Sequence, residues 1–469
     1  MLRLAARLRR LEEDGLDPAA YAIPPDPLAA ADPRGHEAGV RRAAASALAD
    51  LLLGRARAPV GRPDILRDPA SVPLARWQAD LAAAPDPAAV LDRAALLHPE
   101  AAALRAELAR ARALAAGGGW RPMPVGGTVE PGTEDPRVPL LRERLRAEDA
   151  SVPEAAPAGA DLLYDEALAE AARRWQAANG LEADGRVGPI TQAALNRPAR
   201  ARVEQLRVAL DMRRGLAAPP AGRRVEVNIP DFTLALMDGP RAVMRMNVVV
   251  GRPSRATPVM RATLTAVQFN PPWGVPVRNA REDLLPRFRR DPAGMRAKGF
   301  RLFGSDPETG DRVEVDPTTV NWAAIRPETF PYFVRQDAGD ASALGRLKFI
   351  MPNGDDIYLH DTPDRHLFAR PERAFSSGCV RLERPMDMLD AAMAGTGWDR
   401  GRMQRAVDSR STSVVPVARP LPVRLHYTTA VVEEGTGRVR LRPDLYGLDA
   451  AYARGMDRAS AAPALLASR

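Results

Sequence analysis

The stretch RRVEVNIPDFTLALMDGPRAVMRMNVVVG, residues 223–251, decides the fold class of the second half of the chain. Apolar and polar side chains alternate through Val225, Val227 and Ile229, and the same period of two returns on both sides of Asp238-Gly239. Such alternation is typical of β-strands with one buried face, and Asp-Gly between two such runs indicates a hairpin turn. The stretch therefore predicts that a mainly β domain begins at about residue 221.

Further strand patterns follow this stretch, and one long interval separates them. Apolar and β-branched runs predict strands at 263–269, 347–351, 357–359, 421–432 and 438–442. Between the first two of these, residues 281–345 are rich in charge, proline and glycine. Because both ends of this interval must return to the sheet, we expect an inserted subdomain that forms a lid over a cleft. The basic side chains expected to help hold an anionic donor strand there are Arg287, Arg289, Arg290 and Arg296.

The residues before the β domain have a helical pattern. Leu2, Leu4, Leu8 and Leu11 recur at helical spacing, and similar stripes continue until the glycine run at 117–119. A second group of short helices follows, and Asp135-Pro136 is the expected start of the first, with aspartate as the N-cap.

These patterns predict an α+β multi-domain chain, with helices first and a mainly β domain after them. The predicted domains are a helical scaffold at 1–125, a small helical module at 126–200, a β domain at 221–410 and C-terminal strands with a tail at 411–469. The last segment is expected to pack on the scaffold or on the β domain.

The composition excludes several classes of function. Of 469 residues, 67 are basic and 59 acidic, so the net charge is only +8, and no run of like charge indicates a nucleic-acid-binding arm. Lys298 and Lys348 are the only lysines, and Cys379 is the only cysteine, so the chain can form neither an internal disulfide nor a thiolate metal cluster. The five histidines have no metal-binding spacing, and His36 and His98 are expected at the surface or as helix caps. We therefore predict no metal and no cofactor.

No membrane span is predicted, because no apolar run reaches the roughly 18 residues that one needs. The first 18 residues, MLRLAARLRRLEEDGLDP, alternate apolar and charged side chains as an amphipathic helix does. They lack the continuous apolar core of a secretory signal, so no export signal is expected in the sequence as written.

The candidate chemistry lies in IYLHDTPDRHLFARPERAFSSGCVRLE, residues 357–383, where His360 ends an apolar run and Cys379 follows Gly378. A thiol needs a base to become a thiolate near neutral pH, and His360 is the expected base, with His366 as the alternative. A glycine beside the nucleophile lets a substrate carbonyl approach the backbone, so the N–H groups of Gly378 and Cys379 are the expected oxyanion donors. Taken alone, a single cysteine is more often a small buried apolar residue.

The same stretch resembles the catalytic signature of the L,D-transpeptidases, the YkuD-type domains that cross-link peptidoglycan through a cysteine. The family pattern is a histidine, an interval, and then Ser/Thr-His-Gly-Cys. The resemblance is closest to the large YcbB-like branch, which combines a helical scaffold, a peptidoglycan-binding module and a β-sandwich-like catalytic domain with an inserted capping subdomain. The stretches that carry it are VNIPDFTLAL (227–236), VVVGRPSRATPV (248–259), FNPPWGVP (269–276), ALGRLKF (343–349), YLHDTP (358–363) and SSGCVRL (376–382).

The resemblance implies that Cys379 is the nucleophile that accepts the acyl group and that His360 activates it, oriented by the carbonyl of Asp361. Ser377 stands where most of the family has a second histidine, and Arg381 where many members have asparagine. Arg381 is expected either to bind a carboxylate of the substrate stem or to form a salt bridge that holds the loop.

Two aromatic residues complete the expected substrate site, since Tyr358 and Trp273 are expected to line the cleft. Arg373 is expected to be an electrostatic or structural neighbour of the nucleophile loop. Residues 164–196 resemble the common peptidoglycan-binding module through Trp175-Gln176 and Asp184-Gly185.

The resemblance implies a 3→3 cross-linking reaction that releases D-alanine from a tetrapeptide donor. The alternatives are an L,D-carboxypeptidase or a peptidoglycan amidase that uses the same cysteine and histidine, or a wall-binding scaffold without activity. The implied partners are peptidoglycan stem peptides and glycan strands, with a glycan synthase or carboxypeptidase as a further partner, and not nucleic acid. Because the implied substrate is outside the inner membrane, the expected location is the periplasm.

Overall fold

The computed structural model describes residues 1–57, 61–306 and 308–461, which form two compact units. The first contains Met1–Pro219 and the C-terminal segment from Tyr427, and the second contains Pro220–His426. The chain therefore returns to the first unit after completing the second. No helix in these ranges is long and apolar enough to cross a membrane.

The first unit is mainly helical. Its N-terminal helices are α1 (Leu2–Arg9), α2 (Leu28–Ala31), α3 (Pro33–Leu53), α4 (Leu74–Ala83), α5 (Pro87–Ala95) and α6 (Ala101–Ala116). Leu4, Leu8 and Leu11 are fully buried in the core that α1, α3 and α5 share, whereas Leu2 is exposed. The predicted leucine stripe is therefore a packing face, with its first member outside the core.

Three short helices form the module that follows, namely α7 (Val138–Arg146), α8 (Glu166–Ala178) and α9 (Pro189–Leu195). The first helix begins at Val138 and not at Asp135-Pro136, because the Asp135 carboxylate accepts the N–H of Arg137 (2.8 Å) in a turn before the helix. Trp175 and Tyr164 lie in the core of the module. The predicted Asp184-Gly185 turn is held by the Gln176 side chain, whose Oε1 accepts the N–H of Gly185 (2.8 Å).

The first unit is completed by α10 (Ala199–Met212) and, after the second unit, by a hairpin and a last helix. Helix α10 packs against α6 in a core that also contains Ala430 of the hairpin.

Thirteen strands of the described chain lie in the second unit. They are β1 (Arg223–Asn228), β2 (Thr233–Asp238), β3 (Arg241–Gly251), β4 (Met260–Phe269), β5 (Trp273–Gly274), β6 (Phe300–Ser305), β7 (Arg312–Val315), β8 (Phe333–Gln336), β9 (Leu347–Ile350), β10 (Leu359–His360), β11 (Ala374–Ser376), β12 (Val380–Leu382) and β13 (Ser413–His426). The predicted start of the β domain and its Asp238-Gly239 hairpin are confirmed, since β2 and β3 pair antiparallel.

Nine of these strands form one sheet in the order β11-β3-β12-β10-β9-β4-β13-β1-β2. Strand β3 pairs with β2 as well as with β12, so β2, the last strand of this order, returns to the second strand and the sheet closes. Its interior is apolar, with Val227, Val267, Phe349 and Leu359 fully buried. The parallel pairs β10–β12 and β1–β13 bring together segments that are far apart in sequence.

The insertion is the long connection between β4 and β9, two neighbouring antiparallel strands of the large sheet. Strands β4 and β9 pair antiparallel with Phe269 opposite Leu347, so everything between them leaves and re-enters the sheet at one point. Its sheet, β5-β8-β6-β7, begins at Trp273, before the predicted start at residue 281. It contains α11 (Val277–Asn279), a π-helical turn at Ala280–Leu284, α12 (Leu285–Arg290) and α13 (Pro292–Ala297).

This insertion has a core of its own, in which Phe288 stacks on Trp322 with ring centroids 4.6 Å apart. Two of the four arginines that were expected to face a donor strand instead form contacts within the insertion. Arg296 pairs with Asp316 (2.5 Å), and Arg289 donates to the carbonyl of Ile325 (2.5 Å). Arg287 and Arg290 are exposed.

The predicted strand at 421–432 is two strands in different units. Residues up to His426 belong to β13, which lies between β4 and β1 in the large sheet. Residues Ala430–Val432 form β14, which pairs with β15 (Val439–Leu441) in the first unit. Helices α14 (Pro385–Ala392) and α15 (Arg400–Asp408) precede β13, and α16 (Leu448–Ala461) follows the hairpin.

Candidate active site

A row of polar side chains crosses one face of the large sheet. The backbone register places His360 of β10 opposite Lys348 of β9 on one side and opposite Arg381 of β12 on the other. Lys348 in turn lies opposite Gln268 of β4. Because side chains directly opposite each other point to the same face of a sheet, these four residues share one face.

Apolar packing on the other face fixes this orientation. Leu359 lies opposite both Phe349 and Val380, and all three side chains are fully buried. A slip of one residue would bury the charged row in their place, so the register is strongly determined. Tyr358, just before β10, is on the polar face, since its ring is 5.5 Å from that of His360 and 3.9 Å from the ammonium of Lys348, and the nucleophile candidate Cys379, just before β12, hydrogen bonds with it.

His360 is held by the backbone of the next residue. Its Nδ1 is 2.5 Å from the carbonyl oxygen of Asp361, as the resemblance implied, and the ring is almost completely buried. A ring nitrogen facing a carbonyl carries the proton, so Nε2 is the nitrogen left to accept one. Burial, together with the charges of Arg381 and Lys348, lowers the pKa of His360 to about 3. The imidazole is therefore neutral near neutral pH.

The loop before Cys379 depends on the glycine at 378. Gly378 has φ +121°, a conformation that side chains with a Cβ rarely adopt. Its N–H donates to Ser376 Oγ (3.1 Å), and its carbonyl accepts the hydroxyl of Thr257 (2.7 Å). In this arrangement the Gly378 N–H is already used, which differs from the expectation that both N–H groups serve an oxyanion. The candidate donor is then the N–H of Cys379.

Cys379 is partly buried and its thiol donates to the carbonyl of Asp356 (3.8 Å). Burial raises the pKa of the thiol. Hydrogen bonds with the backbone and side chain of Tyr358, and the charges of Lys348 and Arg381, act in the opposite direction. The cysteine is therefore a thiol in the resting state, in a setting where several groups favour the thiolate.

Of the two aromatic residues predicted for the site, Tyr358 hydrogen bonds with Cys379, and Trp273 reaches the site through Tyr358. Burial raises the pKa of Tyr358, so its hydroxyl is protonated and can donate a hydrogen bond. Tyr358 hydrogen bonds with Trp273 of the insertion, and its ring is 5.5 Å from that of His360 in an edge-on arrangement. Trp273 also packs edge-on against Phe300 in the core of the insertion.

Arg381 forms the salt bridge that was one of its two predicted roles. Its Nη1 is 2.7 Å from Asp364 Oδ2. The carboxylate of Asp361 accepts the N–H groups of Thr362 (2.7 Å) and Arg346 (2.8 Å), so it fastens the chain after His360. Arg373 donates to Asn247 Oδ1 (3.0 Å), which makes it a structural neighbour of the loop.

Ser377 accepts a hydrogen bond from a residue that sequence reasoning missed. The buried Arg255 donates to Ser377 Oγ (2.8 Å), and the same guanidinium pairs with Glu282 (2.6 Å) and Asp283 (2.5 Å) of the insertion. Arg255 thus connects the residue before Gly378 to the π-helical turn at the base of the insertion. Arg255 is 122 residues before Ser377, and the only sequence signal for its role was that it lies in VVVGRPSRATPV, one of the stretches that carry the family resemblance.

Two further residues of this site were also missed, Thr257 and Lys348. Both lie in stretches that carry the family resemblance, and Lys348 is one of only two lysines in a chain that otherwise uses arginine. The structure brings Cys379, Gly378, Ser377, Tyr358, Trp273, His360 and Arg381 into this one region. The exposed His366 lies in the short helical turn Arg365–Ala369.

In the part of the chain that the structure describes, no cluster of three or more His, Cys, Asp or Glu side chains has the geometry to hold a metal ion.

Comparison with known proteins assigns the two recognisable parts of the chain. Residues 222–408 match the family model of the YkuD "L,D-transpeptidase catalytic domain", and residues 134–195 match that of the "Putative peptidoglycan binding domain". A curated protein from Haemophilus influenzae, named "Putative L,D-transpeptidase", is 39% identical over 243 residues. The match covers 52% of this chain and 48% of that protein, so the chain spans about half the length of this relative.

Two solved structures of L,D-transpeptidases are also similar. The one from Mycobacterium smegmatis is 14% identical, covering 44% of this chain and 59% of its own, with a TM-score of 0.22. The one from Xylanimonas cellulosilytica is 17% identical, covering 64% of this chain and 98% of its own, with a TM-score of 0.21. With TM-scores below 0.5, the family assignment rests on the sequence matches.

The second unit is a mainly β catalytic domain with its polar site on one sheet face. Its residues 222–408 match the YkuD L,D-transpeptidase catalytic domain, and residues 134–195, before it in the chain, match the putative peptidoglycan-binding domain. Strand β13 lies beyond the matched range but between β4 and β1 in the sheet, so this domain extends to His426.

Proposed function

We propose that this protein forms 3→3 cross-links in peptidoglycan through a thioester on Cys379. The observation that carries the proposal is the register of β10 and β12, which supports His360 and Cys379 acting on the same face of adjacent strands. The fixed Nδ1 of His360 leaves Nε2 as the proton acceptor. A neutral imidazole is the form that a general base requires.

The proposed reaction begins with transfer of the Cys379 proton to Nε2 of His360. The thiolate attacks the carbonyl between the third residue of a tetrapeptide stem and its terminal D-alanine, and the Cys379 N–H stabilises the oxyanion. When the C–N bond breaks, His360 returns the proton to the leaving amine and D-alanine departs. The amine of a diaminopimelate side chain on a second stem then attacks the thioester, which gives the new amide and restores the thiol.

The alternatives use the same site and differ in what resolves the thioester. Water in place of the acceptor amine gives a carboxypeptidase or an amidase, and a scaffold without activity forms no thioester. The decisive experiment incubates the purified protein with disaccharide-tetrapeptide and identifies the products by mass spectrometry. A cross-linked dimer supports the proposal, tripeptide alone supports hydrolysis, and unchanged substrate supports the scaffold.

The proposed partners are peptidoglycan stem peptides and glycan strands, supported by the match of residues 134–195 to a peptidoglycan-binding family. A glycan synthase or carboxypeptidase is proposed as a further partner, and the periplasm as the location, because the proposed substrate is there. The proposed domain roles are a scaffold at 1–125, a binding module at 126–200, catalysis at 221–410 with its lid, and a packing role for the remainder.

The insertion is proposed to shield the thioester from water, and its removal tests this role. Residues 272–342 are replaced by a four-residue Gly/Ser linker, which joins β4 and β9 as a simple hairpin and retains the turn near Asp361. Cross-linked dimer is expected to fall several-fold relative to tripeptide, because water reaches the exposed thioester. The two products are quantified by chromatography and mass spectrometry.

The matched control for the deletion is the double variant Arg287→Ala/Arg290→Ala, which changes two exposed side chains of the insertion and leaves its core in place. An unchanged ratio of dimer to tripeptide in the deletion variant would contradict the shielding role. A change in the control that equals that of the deletion would assign the effect to these arginines.

The rate of Cys379 acylation by a carbapenem is expected to change less than about threefold between pH 5 and pH 8. With its pKa lowered to about 3, His360 stays neutral throughout this range. A histidine with the ordinary pKa of about 6.5 would be neutral in only about 3% of molecules at pH 5, and the reaction would slow roughly 30-fold. Stopped-flow acylation rates at constant ionic strength measure the profile. An acidic limb near pH 6.5 would contradict the expectation.

A further inference from the structure

Lys348 has an unusual place for a lysine in this chain. It is one of two lysines among 67 basic residues, and it lies partly buried at the centre of the polar row, directly opposite His360. Its ammonium lies 3.9 Å from the centre of the Tyr358 ring, and the side chain of Tyr358 hydrogen bonds with Cys379. A cation over an aromatic face is held there by the ring quadrupole, so the ammonium is held beside a side chain that hydrogen bonds with the nucleophile.

The groups that face Lys348 come from the neighbouring strand and the two loops beside it. They are Tyr358 and His360 of the β10 segment, Cys379 from the segment before β12, and Asp356 from the turn before Tyr358. Burial lowers the pKa of Lys348, and Cys379 and Asp356 are the two groups whose negative charge opposes this effect by favouring the protonated lysine. Asp356 is exposed, whereas Cys379 is partly buried. Because water screens exposed charges more strongly, the thiolate is the stronger of the two potential partners.

Neither of the other two cationic candidates near Cys379 is equally suited to a thiolate. Arg381 is committed to Asp364 at 2.7 Å. His360 is buried and tied to the Asp361 carbonyl, and a charge on its ring is disfavoured by the two cations on either side of it. A thiolate formed on this face therefore needs a permanent positive charge from elsewhere.

We propose that Lys348 is a positioning residue whose ammonium stabilises the Cys379 thiolate at the moment of attack. The inference rests on the proposed function, in which Cys379 attacks as a thiolate after His360 has taken its proton. The two residues then have different roles. His360 moves the proton, and Lys348 supplies a charge that does not change during the reaction. The same charge helps to keep His360 neutral, because like charges side by side disfavour its protonation.

The test measures the ionisation of Cys379 directly, by the rate of its alkylation with iodoacetamide between pH 5 and pH 10. Lys348→Met keeps an aliphatic side chain over Tyr358 and removes the charge. At each pH below the midpoint of the alkylation profile the rate is expected to fall about tenfold, which corresponds to a midpoint about one pH unit higher. Lys348→Arg restores the charge and is expected to recover most of the shift.

Two further variants separate the local charge from other effects. Lys298→Met removes the only other lysine, which is exposed in the insertion, and is expected to leave the profile unchanged. Asp356→Asn removes the competing negative charge and is expected to lower the midpoint, opposite in sign to Lys348→Met. Melting temperatures of all four variants show whether each is folded before its profile is compared.

An unchanged midpoint in Lys348→Met would overturn the inference, as would an equal shift in Lys298→Met or no recovery in a folded Lys348→Arg. The outcome is distinguishable from failure of the proposed function. If the wild-type protein makes cross-linked dimer but the alkylation midpoint of Lys348→Met is unchanged, only the role of Lys348 is rejected. A shift in a protein that makes no thioester product rejects the proposed reaction and leaves the electrostatic role in place.

Discussion

Cys379→Ala is expected to abolish covalent modification by meropenem and all turnover of disaccharide-tetrapeptide. The wild-type protein should gain one drug mass, since Cys379 is the only thiol of the chain. Its position after Gly378, on the polar face of the sheet, leaves it accessible to an acyl donor while its neighbours favour the thiolate. Intact-protein mass spectrometry measures the adduct with no background from other cysteines.

The alanine variant is well suited to this test because it changes little else. The side chain of Cys379 is partly exposed, its contact with the carbonyl of Asp356 is long at 3.8 Å, and its hydrogen bonds with Tyr358 are the other contacts that the variant loses. The variant should therefore keep the melting temperature of the wild type to within a few degrees. Persistence of the adduct in Cys379→Ala would show that another residue is acylated and would remove the basis of the proposed mechanism.

The sequence predicted the β domain well because its signals are local. Alternation in Val225, Val227 and Ile229 depends only on which face of a strand is buried, and Asp238-Gly239 forms its turn without help from distant residues. The strand predicted at 421–432 shows the limit of such signals. Apolar character continues across His426 and Tyr427, but the chain passes there from one compact unit to the other.

Burial in the helical region was harder to predict than strand position. His36 was expected at the surface or as a cap, but it is buried, in the first turn of α3. Alanine-rich helices such as α3 bury small side chains on several sides, so the pattern does not single out one buried face. His98 does act as expected, since its Nδ1 accepts the N–H of Glu100 (3.2 Å) just before α6.

The candidate site could be predicted as a list of chemical groups but not as an arrangement. Cys379, His360 and Gly378 are close in sequence, so their motif identified them. Arg255 reaches Ser377 from 122 residues away, and Lys348 faces His360 only because β9 and β10 pair in one register. Such contacts are properties of the closed sheet and leave no periodic signal in the chain.

The choice between His360 and His366 now has a geometric basis. His360 lies at the end of β10 on the same face as Cys379, with Nδ1 fixed by the Asp361 carbonyl, whereas His366 is exposed in a short turn. A base must reach the proton that it removes, and a fixed ring loses no orientational freedom in doing so. The two histidines are only six positions apart in the sequence, but their surroundings are not equivalent.

His360→Ala is expected to lower the rate of thioester formation by about 10²- to 10⁴-fold, the usual cost of losing a general base. His366→Ala, the matched control, is expected to retain the wild-type rate to within about twofold. Stopped-flow acylation by meropenem measures both variants at pH 7. His360→Gln refines the test, since it keeps a polar side chain beside Arg381 but cannot accept the proton as imidazole does, and it should be as slow as alanine. If His366→Ala were slow and His360→Ala fast, the base would be His366, and the turn Arg365–Ala369 would have to move toward Cys379 during the reaction.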